Sequence, residues 1–161
     1  MFGLSKPPEL EANTLPMLYV RFTALCGLLL LSLVSARLSA DELRPFTSDG
    51  CSAFPDGTPK HKELWLKCCN AHDLDYWMGG TYEERRASDL RLKQCVSSVG
   101  EPTIAKAMLA GVTIGGSPFW PTSFRWGYGW SYFDFRGYKA LSPEELETIR
   151  KSLEFAEEAQ D

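Results

Sequence analysis

The 161-residue chain has no run of 18 or more apolar residues, and a membrane-spanning helix needs roughly 20. It also has no excess of basic residues. Lys plus Arg number 17 and Asp plus Glu number 21, so the net charge is −4 and a nucleic-acid partner is not expected. The sequence has no internal repeat and no low-complexity tract. Its apolar content of 44% is enough for one domain with a buried core.

The longest apolar stretch lies near the N-terminus and is too short to span a membrane. Residues 22–34 follow Arg21 and precede small residues, a pattern typical of a secretory signal. We expect translation to start at Met17, cleavage at or before Ala40, and a location in the periplasm or outside the cell. A cytoplasmic extension with a membrane anchor is the alternative.

Cleavage would separate residues 1–40, an extension that includes the signal, from residues 41–161, which we predict to be a single domain. The exported part contains four cysteines: Cys51, Cys68, Cys69 and Cys95. An even number of cysteines in an exported chain favours two disulfides, for which three pairings are possible. The alternative is a zinc site formed by Cys68, Cys69, His72 and Cys95.

Capping signals predict a mainly α fold. Thr58-Pro59 is typical of a helix start, the glycines at 79–80 of a helix end, and Thr81 with Glu84 of a capping box. The predicted helices span residues 60–78, 82–99 and 102–110, with a last amphipathic helix after Ser142-Pro143. One face of that last helix is predicted to carry Leu146, Ile149, Leu153 and Ala156.

The first two helices should form an antiparallel hairpin around Gly80, which fixes the heights of their side chains. Cys68 lies 12 residues before Gly80 and Cys95 lies 15 after it, an offset of about 4.5 Å along the helices. These two cysteines are therefore close enough for a disulfide. Cys69 points about 100° away from Cys68 and is left for the loop residue Cys51.

The same geometry places a histidine and an aspartate opposite each other. His72 lies 8 residues before Gly80 and Asp89 lies 9 after it. Imidazole can act as a general base, and a carboxylate can orient it. Asp73 points about 100° away, and a carboxylate facing loop carbonyls is how calcium is held. This combination predicts a hydrolase that activates water and stabilises an ester oxyanion with a metal. The alternative is that His72 and Asp73 are a pair on the helix surface without function.

The residues that carry this chemistry also resemble a known family. Residues 68–76, CCNAHDLDY, are similar to the CCxxHDxCY active-site helix of the secreted phospholipases A2. Asp89 and Cys95 are similar to that family's later Asp and Cys, including their spacing of six, and residues 49–52, DGCS, resemble its calcium loop. The resemblance covers about residues 47–97.

The resemblance implies calcium-dependent hydrolysis of the sn-2 ester of glycerophospholipids. His72 would take a proton from water, Asp89 would orient His72, and Tyr76 would form a hydrogen bond with Asp89. The implied calcium ligands are the carboxylate of Asp73 and the carbonyls of Gly50, Ser52 and Phe54. A monomer that contacts the membrane peripherally is expected. The alternative function is a catalytically weak member of the family that binds lipid or a protein partner.

The chain departs from the family pattern at several positions. Two family cysteines that pair with each other are replaced together by Asp75 and Ser88, which are expected to form a hydrogen bond across the helices. Ser52 and Phe54 stand where the family loop often has glycine. The two-stranded wing between the helices is absent, as in the bacterial and group XII branches. From Gly100 onward no resemblance is found.

Aromatic residues are concentrated in one segment beyond the region of resemblance. Residues 115–138 hold ten of the 20 aromatic side chains. They are expected either to cover the helix pair as core or to form an acyl-chain slot or lipid-facing surface. Both interpretations can hold for different residues of the segment. The acidic last helix and His61 are expected to be solvated.

Overall fold

The computed structural model describes residues 43–158, and the predicted signal at residues 22–34 lies outside them. The described part is mainly helical, with no strand in that range. It contains four α-helices and a short 3₁₀ turn at Tyr132–Asp134. The helices are α1 (Leu66–Met78), α2 (Tyr82–Ser98), α3 (Pro102–Gly115) and α4 (Pro143–Glu158). Between residues 43 and 158, no helix is long and apolar enough to cross a membrane.

Helices α1 and α2 form the predicted hairpin. Gly79 and Gly80 adopt positive φ angles of 75° and 137°, which glycine allows at little cost. Thr81 then caps α2 with a complete capping box, in which its side chain accepts from the Glu84 backbone and Glu84 accepts from the Thr81 backbone. A Cβ at Gly79 would lie 2.9 Å from the Cα of Gly127, so the turn also packs closely on the aromatic segment.

The predicted start of the first helix at Lys60 is wrong. Residues 59–65 form bends and turns, and the helix begins at Leu66. Tertiary contacts explain the difference, because Trp65 is anchored to the preceding loop. Its backbone N–H donates to the Asp56 carbonyl at 3.1 Å, and its indole N–H donates to the Pro55 carbonyl at 2.7 Å. These bonds fold the segment back onto the loop and outweigh its helical capping signal.

Two disulfides connect the hairpin and the loop as predicted from the helix geometry. Cys68 pairs with Cys95 across α1 and α2, with a Cα–Cα distance of 5.7 Å. Cys51 pairs with Cys69 at 5.0 Å and attaches the loop to α1. Cys68, Cys69 and Cys95 therefore have no thiolate to offer to zinc, which excludes the alternative zinc site.

Helix α3 packs against α2 and is longer than predicted, because it continues through Gly111 to Gly115. A Cβ at Gly111 would meet no atom within 4 Å, so this glycine marks no tight turn.

One core lies between the loop, α1, α2 and α3, and its buried residues are Trp65, Cys68, Cys69, Leu92, Val96, Ala105 and Met108. A second core joins Trp77, Trp130 and Ile149.

The aromatic segment divides between the two predicted locations. Trp126 and Trp130 are buried. The indole N–H of Trp126 donates to the Gly80 carbonyl in the turn after α1, and that of Trp130 donates to the Met78 carbonyl at the end of α1. Exposed aromatic side chains make up the other part of the segment: Phe119, Trp120, Phe124, Phe133 and Phe135. The segment thus contributes to the core and also leaves an apolar surface in solvent.

Helix α4 presents a smaller apolar face than predicted. Ile149 is buried and Leu153 packs beside it, whereas Leu146 and Ala156 are exposed. Among the described residues, Ile149 and Leu153 make the contacts of this face with the second core, and Leu146 and Ala156 lie outside that cluster. As expected, most of α4 is solvated, and His61 is exposed.

Candidate active site

His72 and Asp89 face each other between α1 and α2. The imidazole Nε2 lies 3.1 Å from Oδ1 of Asp89, and both side chains are buried. A carboxylate at this position accepts a hydrogen bond from Nε2–H, which leaves Nδ1 as the basic nitrogen. The pair therefore has the geometry of an oriented general base.

Tyr76 extends the pair by one hydrogen bond. It lies one turn after His72 on α1, and its hydroxyl donates to Oδ1 of Asp89 at 2.7 Å. Burial and the charge of Asp89 raise the pKa of Tyr76 well above its usual value, so the hydroxyl remains a neutral donor. The ring of Tyr76 also stacks at a tilt on His72, with centroids 4.2 Å apart.

Arg85 contacts this network and was not predicted from the sequence. It lies on α2 four residues before Asp89, is 4% exposed, and donates from Nε to the Tyr76 hydroxyl at 3.1 Å. Burial lowers the pKa of Arg85, but its hydrogen bonds to Tyr76 and Tyr138 outweigh burial and the net shift is upward. The sequence indicates only that Arg85 and Asp89 share one face of α2, because they are four residues apart on a helix.

Gly116 is a second residue that sequence reasoning missed. A Cβ at this position would lie 2.2 Å from the Tyr76 hydroxyl oxygen. The backbone after α3 can therefore approach the tyrosine only where no side chain intervenes. The sequence shows glycines at 115 and 116 but contains no signal that one of them touches Tyr76.

Asp73 faces the loop on the other side of α1. The hydroxyl of Ser48 lies 2.6 Å from its Oδ2. Burial raises the pKa of Asp73 to about 6, opposed by the hydrogen bond from Ser48 and the charge of His72. The nearby carboxylates of Asp49 and Asp56 raise that pKa further. A partly buried carboxylate among other carboxylates is a group that a cation would stabilise.

Two residues of the loop around Cys51 adopt left-handed backbone conformations. Gly50 and Ser52 adopt positive φ angles of 77° and 52°. Within residues 43–158, no hydrogen bond reaches the Oδ1 of Asp73 or the carbonyl oxygens of Gly50, Ser52 and Phe54.

These free oxygens are the donor type that Ca²⁺ prefers, so the residues fit a calcium ion. The same part of the chain holds no group of three or more His, Cys, Asp or Glu side chains suited to a metal. A site built mostly from backbone carbonyls is not such a group.

A cavity of about 360 Å³ joins the two halves of the site. Its polar end is formed by His72, Asp73 and Tyr76 together with the loop at residues 50–54. Its apolar wall comes from α2, α3 and the aromatic segment, and includes Leu92, Ala107, Met108, Val112 and Phe124. The cavity therefore combines a base, a carboxylate and a wall suited to a hydrocarbon chain.

Asp75 and Ser88 form the expected bond across the hairpin. The Ser88 hydroxyl donates to Oδ2 of Asp75 at 2.8 Å, and Arg91 pairs with the same oxygen at 2.7 Å. Ser88 is completely buried. This polar link therefore joins α1 and α2 next to the His72–Asp89 pair.

The chain matches no protein-family model, no curated protein and no solved structure.

Proposed function

We propose that the protein is a calcium-dependent hydrolase of the phospholipase A2 type, acting on the sn-2 ester of glycerophospholipids. The observation that carries this proposal is the 3.1 Å contact between His72 and Asp89 in a cavity that also contains Asp73 and the loop. The resemblance of residues 68–76 to the family's active-site helix supports the same conclusion.

The reaction begins with proton transfer to His72. Nε2 is engaged by Asp89, so Nδ1 accepts a proton from water while the water oxygen attacks the sn-2 carbonyl carbon. When the bond to the glycerol oxygen breaks, the protonated imidazole returns its proton to that oxygen. The products are a fatty acid and a lysophospholipid. Calcium held by Asp73 and the carbonyls of residues 50, 52 and 54 would supply positive charge for the oxyanion.

The apolar wall provides the place for the acyl chain. Met108 and Val112 on α3 and Phe124 in the aromatic segment line the same cavity as His72. Burying each CH₂ group of a chain there is worth about 0.8 kcal/mol. The wall therefore favours long-chain esters over water-soluble short ones.

The proposal is tested with vesicles that carry a label in the sn-2 chain, and with calorimetry. The wild type should release labelled fatty acid, bind calcium, and leave lysophospholipid behind. Asp73→Asn should lose calcium binding because only neutral oxygens would remain among the proposed ligands. Release of the sn-1 chain, or unchanged calcium affinity in Asp73→Asn, would contradict the proposal.

Lipid binding without turnover is the second candidate function. It is favoured by the exposed aromatic side chains, since Phe133 and Phe135 are each 81% exposed. Trp side chains are enriched at the membrane–water interface, and Trp120 of the same segment is 53% exposed. Vesicle sedimentation with no product would support this candidate, and the protein would then be a binding member of the family.

A further inference from the structure

Arg85 is a buried cation whose three nitrogens donate to Tyr76 of the candidate active site, to Tyr138 and to the last turn of α3. Nε donates to Tyr76, Nη1 donates to the Tyr138 hydroxyl at 2.6 Å, and Nη2 donates to two carbonyls of α3. Those carbonyls belong to Val112 and Thr113, at 2.7 Å and 2.9 Å. The resemblance assigns no role to this side chain.

We propose that Arg85 is a positioning residue, which holds Asp89, and through it His72, in a fixed relation to the cavity wall formed by α3. The inference rests on the proposed function for its catalytic consequence. Its structural part, the orientation of the imidazole by Arg85, is independent of any substrate.

Charge is the first reason for this role. Asp89 is fully buried, and its Oδ2 accepts no hydrogen bond within residues 43–158. The cations nearest to Oδ2 are Arg85 Nε at 3.9 Å and Arg86 Nη1 at 3.8 Å. Arg86 is about one-third exposed, so solvent screens its charge, whereas Arg85 is buried beside the carboxylate. A buried carboxylate is stabilised by such a neighbouring cation, and removing one partner of a buried pair is costly.

The hydrogen-bond chain is the second reason. Arg85 donates to the Tyr76 oxygen, and the Tyr76 hydroxyl donates to the same oxygen of Asp89 that faces His72. Donation to a hydroxyl oxygen polarises its O–H and makes it a stronger donor. The bond that fixes Oδ1 therefore depends on Arg85.

The third reason is the connection to α3. The guanidinium is a rigid planar fork, so bonds from Nε and Nη2 fix the distance between Tyr76 and the last turn of α3. Val112 contributes both an accepting carbonyl and part of the cavity wall. A positive charge is also favourable at this helix C-terminus. Arg85 thereby sets the position of the acyl-chain wall relative to the base.

The test uses Arg85→Gln and Arg85→Lys, with Arg91→Gln as the matched control. Lysine keeps the charge and the buried stem, so the fold of Arg85→Lys should be retained. Its single ammonium group cannot donate to Tyr76 and α3 together, so the positioning should be lost. Arg91 lies on the same helix but is exposed and pairs with Asp75. Two readouts are needed: the downfield proton resonance of the His72 imidazole N–H, measured without substrate, and kcat and KM on phospholipid vesicles.

We expect both Arg85 variants to lose or broaden the imidazole resonance and to lower kcat about tenfold, with any change in KM smaller than the change in kcat. Arg91→Gln should keep the resonance and kcat. A normal resonance and kcat in folded Arg85→Lys and Arg85→Gln would overturn the proposal. Loss of the fold in both variants would also overturn it and make Arg85 purely structural. A wild type with the resonance but no hydrolysis would refute the proposed function, and the resonance would still decide the role of Arg85.

Discussion

The Ser88 hydroxyl donates a 2.8 Å hydrogen bond to Oδ2 of Asp75 and joins α1 to α2 where the resembling family has a disulfide. Because Ser88 is completely buried, Ser88→Ala should leave Asp75 with Arg91 as its remaining partner and lower the free energy of unfolding by about 1 kcal/mol. Urea denaturation measures this. Ser98→Ala, which removes an exposed hydroxyl from the same helix, is the control and should have little effect.

Gly116 should be intolerant of a side chain. An alanine Cβ would lie 2.2 Å from the Tyr76 hydroxyl oxygen, so Tyr76 must move away from Asp89. Gly116→Ala should therefore lower kcat by about tenfold or more and also destabilise the fold. Steady-state kinetics and thermal unfolding check both effects.

Gly111→Ala is the matched variant for stability. Its Cβ would meet nothing within 4 Å, and it lies inside α3, so it should stabilise the protein by up to about 1 kcal/mol. If Gly116→Ala leaves the melting temperature unchanged or raises it as Gly111→Ala should, the close approach of residue 116 to Tyr76 is refuted.

Glu145 should make stability depend on pH in the acid range. Its bond from Arg136, at 2.7 Å, lowers the pKa of Glu145 from 4.5 to about 2. A lowered pKa stabilises the fold above the unfolded value of 4.5, and this contribution is lost as pH falls toward 2. Because the carboxylate is partly screened by solvent, Glu145→Gln should cost about 1–2 kcal/mol at pH 7 and almost nothing near pH 2.

The control for this pH prediction is Glu147→Gln. Its side chain is 47% exposed and pairs with exposed Arg150, so its removal should change stability much less. Chemical denaturation at several pH values distinguishes the two. An equal loss for Glu145→Gln at pH 7 and pH 2 would show that its ion pair does not stabilise the fold.

The disulfide pairing has a direct chemical test. Peptide mapping of the protein should find Cys68 joined to Cys95 and Cys51 joined to Cys69, with no free thiol among these four. Replacing Cys68 and Cys95 together by alanine should cost about 2–4 kcal/mol, because the loop that this disulfide closes is long. A peptide that joins Cys51 to Cys95 would contradict the hairpin geometry.

The hairpin and its disulfides were predictable because they depend on local signals. Glycines at 79–80 and the capping box at Thr81 fix the turn, and the helical rise then fixes which residues face each other. The facing of His72 and Asp89 follows from the same arithmetic. The start of α1 was not predictable because Trp65 is held by loop carbonyls that no local pattern reveals.

Arg85 was missed for a different physical reason. A charged residue on a helix is usually solvated, and its burial depends on acceptors supplied by α3, which is distant in sequence. The contact of Gly116 with Tyr76 is likewise purely tertiary. The local helix signals reveal the central pair of the candidate site, whereas the side chains that hold the pair in place become visible only once α3 is packed.

The most direct test of the central claim compares fatty-acid release from phospholipid vesicles by the wild type and by His72→Gln, each with calcium and with a chelator. Glutamine keeps a similar volume but provides no basic nitrogen. We expect release by the wild type with calcium, at least about a hundredfold less release by His72→Gln, and background levels for both with chelator. Near-normal release by a folded His72→Gln variant, or release by the wild type that chelation does not change, would contradict it.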